Sequence, residues 1–393
     1  MLEMELPVLQ PDHHRPTVYW YTTYRCNLAC KHCSVHSSPY VDTAGDLSPE
    51  EALRAIDNIA QLRPGTVILT GGDPFTRPDA LAIQQKLFDL RIRTGIETNA
   101  ILIDREVARF LRRNADAGAQ IALGISVDGG SAETHDFQRG PGAFAGMLRG
   151  VEAVVAEGLP VQFSSIVNRV NIDTIPDLFV LARQYKAWLL TFGFVNPIGR
   201  ALEYLDDLQL TPELLERALE TILDSMDRYP EVYTVIKIPP ALIPPRFYPR
   251  VKRHLDQASG ERFDLSTSCN FPLFGILPDG SITVCSVTRT KLKAYFGNVK
   301  SDSLVDVWRR QRFEAMRQAY LEADWLTGIC GDCIFKKACK GSCRAWAYAE
   351  YGEFSGPHPL CRALEENGLF PQIYRLSYRD RLLASVRAGG GAT

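Results

Sequence analysis

The stretch YTTYRCNLACKHCSVHS, residues 21–37, places Cys26, Cys30 and Cys33 within eight positions, directly after the apolar run TVYWYTTY of residues 17–24. Three neighbouring thiols cannot all enter disulfides with one another, and a structural zinc ion usually takes four ligands. Thiolates on a short loop are the soft donors that an iron–sulfur cluster needs. Three of them can hold three irons of a 4Fe–4S cube and leave the fourth iron open to another ligand. A zinc site completed by His32 or His36 is the alternative that this loop permits, and it explains little else in the chain.

The other cysteines agree with a metal reading. Of ten, three lie before residue 34, none between 34 and 268, and seven between 269 and 361. Inert core thiols would be scattered. The chain has 393 residues, 46% apolar, with 44 basic against 46 acidic side chains and a net charge of −2. That balance carries no footprint of a nucleic-acid binder. No apolar run reaches the length of a membrane span, and the acidic, proline-containing start MLEMELPVLQPDHHRP lacks the layout of a signal peptide. A cytoplasmic protein with no nucleic-acid or membrane partner is expected, where ten cysteines do not make a disulfide framework.

From residue 17 to about 196 the chain alternates strands with helices. Strands are expected at 17–24, 66–70, 94–98, 120–128, 160–167 and 188–195. Helices are expected at 47–62, 80–90, 104–114, 144–157 and 174–186. The first helix opens with Ser48, Pro49 and Glu51, a capping box. Strands rich in Val, Ile and Phe, read as buried on both faces and each followed by a helix, imply parallel βα units. Six such repeats imply an α/β fold built on a partial (β/α)6 barrel of the TIM type, whose active site collects at the C-terminal strand ends. The cysteine triplet stands there.

Five segments follow: an N-terminal extension (1–16), the barrel (17–200), a helical and proline-rich connector (201–262), a cysteine-rich domain (263–365), and a C-terminal helix with a flexible tail (366–393). The connector, with a helix at about 211–228 and then IKIPPALIPPRFYPRVKRH, reads as a solvated linker. A hairpin turned at Asp279-Gly280 is expected within 276–285, and a helix near 303–322.

CNLACKHC resembles the CxxxCxxC loop of the radical S-adenosylmethionine (SAM) enzymes. The resemblance implies that Cys26, Cys30 and Cys33 hold a 4Fe–4S cluster whose open iron chelates SAM. Cleavage of the sulfonium would then give a 5′-deoxyadenosyl radical. It further implies that His32 lies against the adenine, and that TGGDP (70–74) is the turn whose backbone receives the SAM ammonium. Gly71 and Gly72 would let that backbone approach the ligand, and Asp73 stands where the family carries Glu. Asn99 of ETNA would face the cavity, Ser126 of SVDG would contact SAM, and Asp128 would face the substrate space as a catalytic group. Arg139 would meet the SAM carboxylate, and NPIGRA, from Asn196, would frame the adenine. For Asn99, Asp128 and Arg139 the competing reading is ordinary strand-end capping or a surface ion pair.

The order Cys269, Cys285, Cys330-x2-Cys333-x5-Cys339-x3-Cys343, Cys361 resembles the SPASM extension of one branch of that family. The resemblance implies two auxiliary 4Fe–4S clusters, three in all. Cys330, Cys333, Cys339 and Cys361 would bind the distal one; Cys269, Cys285 and Cys343 would bind the one nearer the barrel. Where some relatives supply a further thiolate, six residues upstream of Cys269, this chain has Phe263. That leaves an iron for a non-cysteine group, including a substrate thiolate or carboxylate. A four-thiolate zinc ribbon is the competing reading of the 330–343 run.

Abstraction of hydrogen followed by loss of a second electron to an auxiliary cluster amounts to net oxidation, such as a crosslink or thioether. The expected substrate is a peptide or protein side chain. An electron donor such as flavodoxin or ferredoxin would be needed. With about sixteen residues ahead of the first strand, leader recognition would fall to a separate protein. The alternative is side-chain modification or decarboxylation of a tetrapyrrole, an acidic small molecule for which Arg200, Arg246, Arg250, Lys252 and Arg253 would be the basic cavity residues. A non-catalytic iron–sulfur scaffold, the third reading, predicts no SAM cleavage.

Overall fold

The computed structural model describes residues 15–257, 263–266, 273–285, 295–310, 314, 320 and 322–381. Its strands are β1 (Thr17–Thr23), β2 (Thr66–Gly71), β3 (Thr94–Thr98), β4 (Ile121–Ser126), β5 (Val161–Val167), β6 (Leu189–Phe194), β7 (Thr234–Lys237), β8 (Phe263–Ser266), β9 (Leu273–Ile276), β10 (Ser281–Thr283) and β11 (Gly297–Asn298). They form one sheet in the order β11-β10-β9-β1-β2-β3-β4-β5-β6-β7-β8. The run from β9 through β1 to β8 is parallel, and β10 and β11 pair antiparallel at one edge.

The crossovers of the first six units are α1 (Pro49–Gln61), α2 (Ala80–Asp89), α3 (Arg105–Asp116), α4 (Ala132–Arg139), α5 (Ala143–Ala156) and α6 (Ile175–Gln184). The capping box forms as expected: the Glu51 N–H donates to Ser48 Oγ at 3.2 Å, and the Ser48 N–H donates to Glu51 Oε2 at 3.0 Å. The core lies between this helical layer and the sheet, where Trp20, Phe88, Phe163, Phe179 and Phe192 are fully buried. Each such side chain contributes about 1.5–3 kcal/mol by leaving water.

Three local expectations change. Strands β1 and β5 are not buried on both faces; they alternate buried with half-buried residues. Their half-buried positions include Tyr21 of β1 and Ile166 of β5, which face a cavity together with Thr70 of β2 and Ser126 of β4. Helix α4 was absent from the sequence reading, because AETHDFQR is too polar to show an apolar stripe. The supposed solvated linker is core: β7 pairs with β6, and Ile236, Ile238, Leu242, Ile243, Phe247 and Tyr248 are buried. Its prolines start short 3-10 turns at Pro240 and Pro245 rather than exposing the chain.

The hairpin forms, with Gly280 at φ +85 and the Ser281 N–H donating to Asp279 Oδ1 at 2.9 Å. Its first strand, β9, adds to the free edge of β1 (Thr17 opposite Leu273), so this part of the cysteine-rich segment continues the barrel's sheet. The helix expected near 303–322 is seen as Leu304–Arg309; most of its remainder lies outside the described residues, as do Cys269 and the end of the tail. Among the described residues no helix is long and apolar enough to cross a membrane.

Candidate active site

A cavity of about 360 Å³ opens at the C-terminal ends of β1 to β6. Cys26, Cys30, Cys33, His32, Gly71, Gly72, Asn99, Ser126, Arg139 and Asn196 all line it. Residues far apart in sequence meet there because parallel strands bring their following loops to one end.

The loop carrying the three thiols is clamped from two sides. The Lys31 N–H donates to the carbonyl of Gln138 in α4 at 2.8 Å. From beyond β6, Arg200 donates through Nη1 to the Cys30 carbonyl at 2.9 Å and through Nη2 to the Ser37 carbonyl at 2.7 Å. Its own N–H reaches the Cys33 carbonyl at 2.9 Å. Gly199 makes that approach possible: it sits at φ +65, and a Cβ there would stand 2.5 Å from the Cys33 oxygen.

Each sulfur has an N–H donor nearby. Leu28 N–H donates to Cys26 Sγ at 3.4 Å, Arg139 Nη1 lies 3.8 Å from Cys30 Sγ, and the Ser37 N–H donates to Cys33 Sγ at 3.3 Å. Such donors favour anionic sulfur. Without a positive ion, burial pushes the Cys26 thiol up to about 12 and the Cys30 thiol to about 11. A bound iron centre reverses that preference, since a coordinating thiol is deprotonated outright. Among the described residues no three His, Cys, Asp or Glu side chains are set to hold a metal ion. Three thiols that line one cavity, each with an N–H donor at its sulfur, fit the ligand set of an iron–sulfur cluster.

The glycine turn after β2 has a reason the sequence did not show. A Cβ on Gly71 would meet the Thr23 carbonyl at 2.2 Å, and one on Gly72 the Arg25 carbonyl at 1.9 Å. These glycines let β2 pass against the end of β1, rather than only admitting a ligand. Asp73 is fully buried and ties the turn to β3: Oδ2 accepts from Thr98 Oγ1 at 2.7 Å and the Asn99 N–H at 2.9 Å, and Oδ1 accepts from the Phe75 N–H at 3.0 Å. Burial raises its pKa above the usual carboxylate value, against those three donors. Asn99 in turn donates to Asn27 Oδ1 at 2.8 Å, holding the cysteine loop.

Asp128 departs from expectation. It does not face the cavity; its carboxylate is fully buried behind the wall. Oδ2 accepts from Arg139 Nε at 2.6 Å and lies 3.2 Å from His32 Nε2, while Oδ1 accepts from the Ile166 N–H at 2.7 Å. Burial favours the neutral acid, but Arg139 and then His32 hold its pKa below the usual range. Burial lowers His32 to about 4, so its imidazole is neutral near pH 7. With Nε2–H donating to Asp128, His32 Nδ1 is left buried and without a partner. Sequence reasoning missed the carboxylate that does line the cavity, Glu97, which accepts from Thr70 Oγ1 at 2.9 Å. The available signal was the acid of ETNA, two residues before Asn99 at the end of a strand.

Arg200, Arg246, Arg250, Lys252 and Arg253 do not line this cavity. Arg200 clamps the cysteine loop, Arg246 pairs with Glu216, and Arg250 pairs with Asp224 and Asp227.

In the C-terminal region Cys330, Cys333, Cys339 and Cys361 are all buried. Cys361 is brought close enough to the other three that charge on any of them raises its own pKa, after the larger effect of burial. Donors point at sulfur here too: the His358 N–H reaches Cys330 Sγ at 3.2 Å and the Phe335 N–H reaches Cys333 Sγ at 3.4 Å. Cys285 and Cys343 gather separately, packed with Ile198 and Trp346.

Comparisons with known proteins agree with this geometry. The profile of the radical SAM superfamily matches residues 20–182, and that of the SPASM iron–sulfur cluster-binding domain matches residues 269–334. The chain is 32% identical over 352 residues to the AdoMet-dependent heme synthase of Methanosarcina barkeri, covering 88% of this chain and 95% of that protein. It is 28% identical to the mycofactocin maturase MftC of Mycolicibacterium smegmatis, covering 87% and 81%. The solved structure described as native anSMEcpe with bound AdoMet superposes with a TM-score of 0.66 at 18% identity, covering 95% of this chain and all of that one, a likeness of fold. The chain is a radical SAM enzyme with a C-terminal SPASM iron–sulfur cluster-binding domain.

Proposed function

We propose that the enzyme binds SAM in the cavity at the ends of β1 to β6 and uses it to oxidise a side chain of an iron tetrapyrrole. The observation that carries the chemistry is the convergence of three donor-bonded thiols, the Gly71-Gly72 turn, Ser126 and Arg139 on one cavity. Cys26, Cys30 and Cys33 would hold the cluster. When bound, it supplies the electron that splits SAM into methionine and a 5′-deoxyadenosyl radical, which takes hydrogen from a substrate carbon. The chain's own residues bind and orient. The backbone of the Gly71-Gly72 turn receives the SAM ammonium. Arg139, aligned by Asp128, offers its remaining N–H groups to the SAM carboxylate. His32, neutral, presents Nδ1 as an acceptor for an amino group such as that of adenine.

The substrate class rests on relatives. Those above 30% identity are named AdoMet-dependent heme synthases, matched over 86–95% of their length. A peptide substrate is the second reading, supported by MftC and by the PqqA peptide cyclase of Rhizobium meliloti at 25% identity. One assay separates them. Reconstituted protein with dithionite and SAM is given either iron coproporphyrin or a candidate precursor peptide, and mass spectrometry follows 5′-deoxyadenosine and substrate mass. Porphyrin-stimulated cleavage with loss of mass from the porphyrin supports the first reading; stimulation only by peptide replaces it. No cleavage with either, in iron-replete protein, overturns both.

A further inference from the structure

Arg344 follows Cys343 directly and is 4% exposed. Nη1 donates to the carbonyls of Phe354 at 2.9 Å and Gly356 at 2.6 Å, and Nη2 donates to the carbonyl of Gly341. Gly341 makes room for it: it lies at φ +72, and a Cβ there would stand 2.5 Å from the guanidinium carbon. The third donor, Nε–H, is buried with no partner. Among the described residues no carboxylate pairs with Arg344 within 4.0 Å.

A buried cation held only by neutral carbonyls is costly, several kcal/mol after relaxation, unless an anion stands nearby. The groups around it are thiols. Arg344 follows Cys343 directly; Gly341, whose carbonyl it bonds, stands in the chain between Cys339 and Cys343; and Gly356, whose carbonyl it bonds, stands two residues before His358, whose N–H donates to Cys330 Sγ at 3.2 Å. Cys330 and Cys339 belong to the buried tetrad with Cys333 and Cys361, and Cys343 belongs to the group with Cys285. The cation is thus tied to segments that carry thiols of both sets.

Resting on the reading that both thiol sets hold iron–sulfur clusters, we propose that Arg344 is their shared buried countercharge, with Nε–H donating to cluster sulfur. Cluster potentials follow net charge and hydrogen bonds to sulfur. The reduced form carries one more negative charge than the oxidised form. Arg344 therefore favours reduction, which suits centres that take an electron during substrate oxidation. It is a positioning and tuning residue, and touches no substrate.

The test is an anaerobic redox titration, with dithionite as reductant and EPR as readout, on full-length protein in which Cys26, Cys30 and Cys33 are each replaced by alanine. Only the C-terminal centres then contribute. Arg344→Gln should make one-electron reduction about tenfold less favourable, a shift of about 59 mV to lower potential. Arg344→Lys should shift by less than half of that. An unchanged potential in an iron-replete Arg344→Gln protein overturns the proposal. Should that variant fail to assemble, the reduced parent labelled with ¹⁵N-arginine decides by pulsed EPR: a guanidinium ¹⁵N coupling to an auxiliary centre is expected, and its absence overturns the proposal. A parent without C-terminal iron or visible absorption instead removes the cluster reading on which this inference rests.

Discussion

Arg139 and Asp128 meet at 2.6 Å behind the cavity wall, with the carboxylate fully buried and the guanidinium reaching past it to Cys30. The carboxylate bonds the arginine and does not line the cavity. Asp128→Asn should therefore leave Arg139 buried without a countercharge, destabilising the fold by about 3–5 kcal/mol. SAM binding should weaken about tenfold or more. Equilibrium dialysis of SAM, alongside thermal unfolding, checks both; normal SAM affinity with lost turnover would instead make Asp128 a catalytic group.

The Gly71-Gly72 turn is set by contact between backbones. Gly72→Ala would force a Cβ to within 1.9 Å of the Arg25 carbonyl, whereas Gly45 has nothing within 4 Å of its would-be Cβ. Gly72→Ala should cost about 4 kcal/mol or more, in the range that marks steric conflict at a special site. Gly45→Ala should be within about 0.5 kcal/mol of the parent. Urea unfolding of the two variants makes the comparison.

Arg200 anchors the cysteine loop through two buried carbonyls, while Arg250 is paired on the outside of the helix Pro212–Arg228. Arg200→Ala should lower retained iron at the first site, by up to four per chain if the site is lost completely, as one cube holds four. Arg250→Ala should retain full iron and full SAM cleavage. Iron and sulfide analysis after desalting distinguishes them. Equal iron loss in both variants would contradict the clamp.

His135 is buried beside Arg139, and burial, then that charge, lowers it to about 4 from 6.5. Its Nδ1 accepts the Asp128 N–H at 3.3 Å. A folded-state pKa below the unfolded value means that the unfolded chain binds the extra proton between the two. The stability is fully present above pH 6.5 and is lost as pH falls toward 4. The full effect is on the order of 3 kcal/mol. His135→Asn, which can keep an acceptor for that N–H, should flatten the fall in urea midpoint between pH 7 and pH 5.

Much of the site was legible because its signals are local. The spacing of Cys26, Cys30 and Cys33, the capping box at Ser48 and Glu51, and the turn at Asp279-Gly280 each depend on neighbours in the chain, so their identities declare them. Asp128 and Arg200 were placed in the wrong surroundings for the opposite reason. Whether a charged side chain lines a cavity or braces its wall depends on strands and loops remote in sequence.

The cysteine pattern by itself determined the class of chemistry, and the alternation of strand and helix determined a parallel α/β frame, because soft-donor spacing and apolar periodicity are properties of short stretches. Tertiary structure alone decided that the proline-rich 234–251 stretch is core, that β9 docks on β1, and that Arg344 is buried on the carbonyls of Gly341, Phe354 and Gly356. Burial and charge proximity arise only when distant segments pack, and no window of sequence contains them.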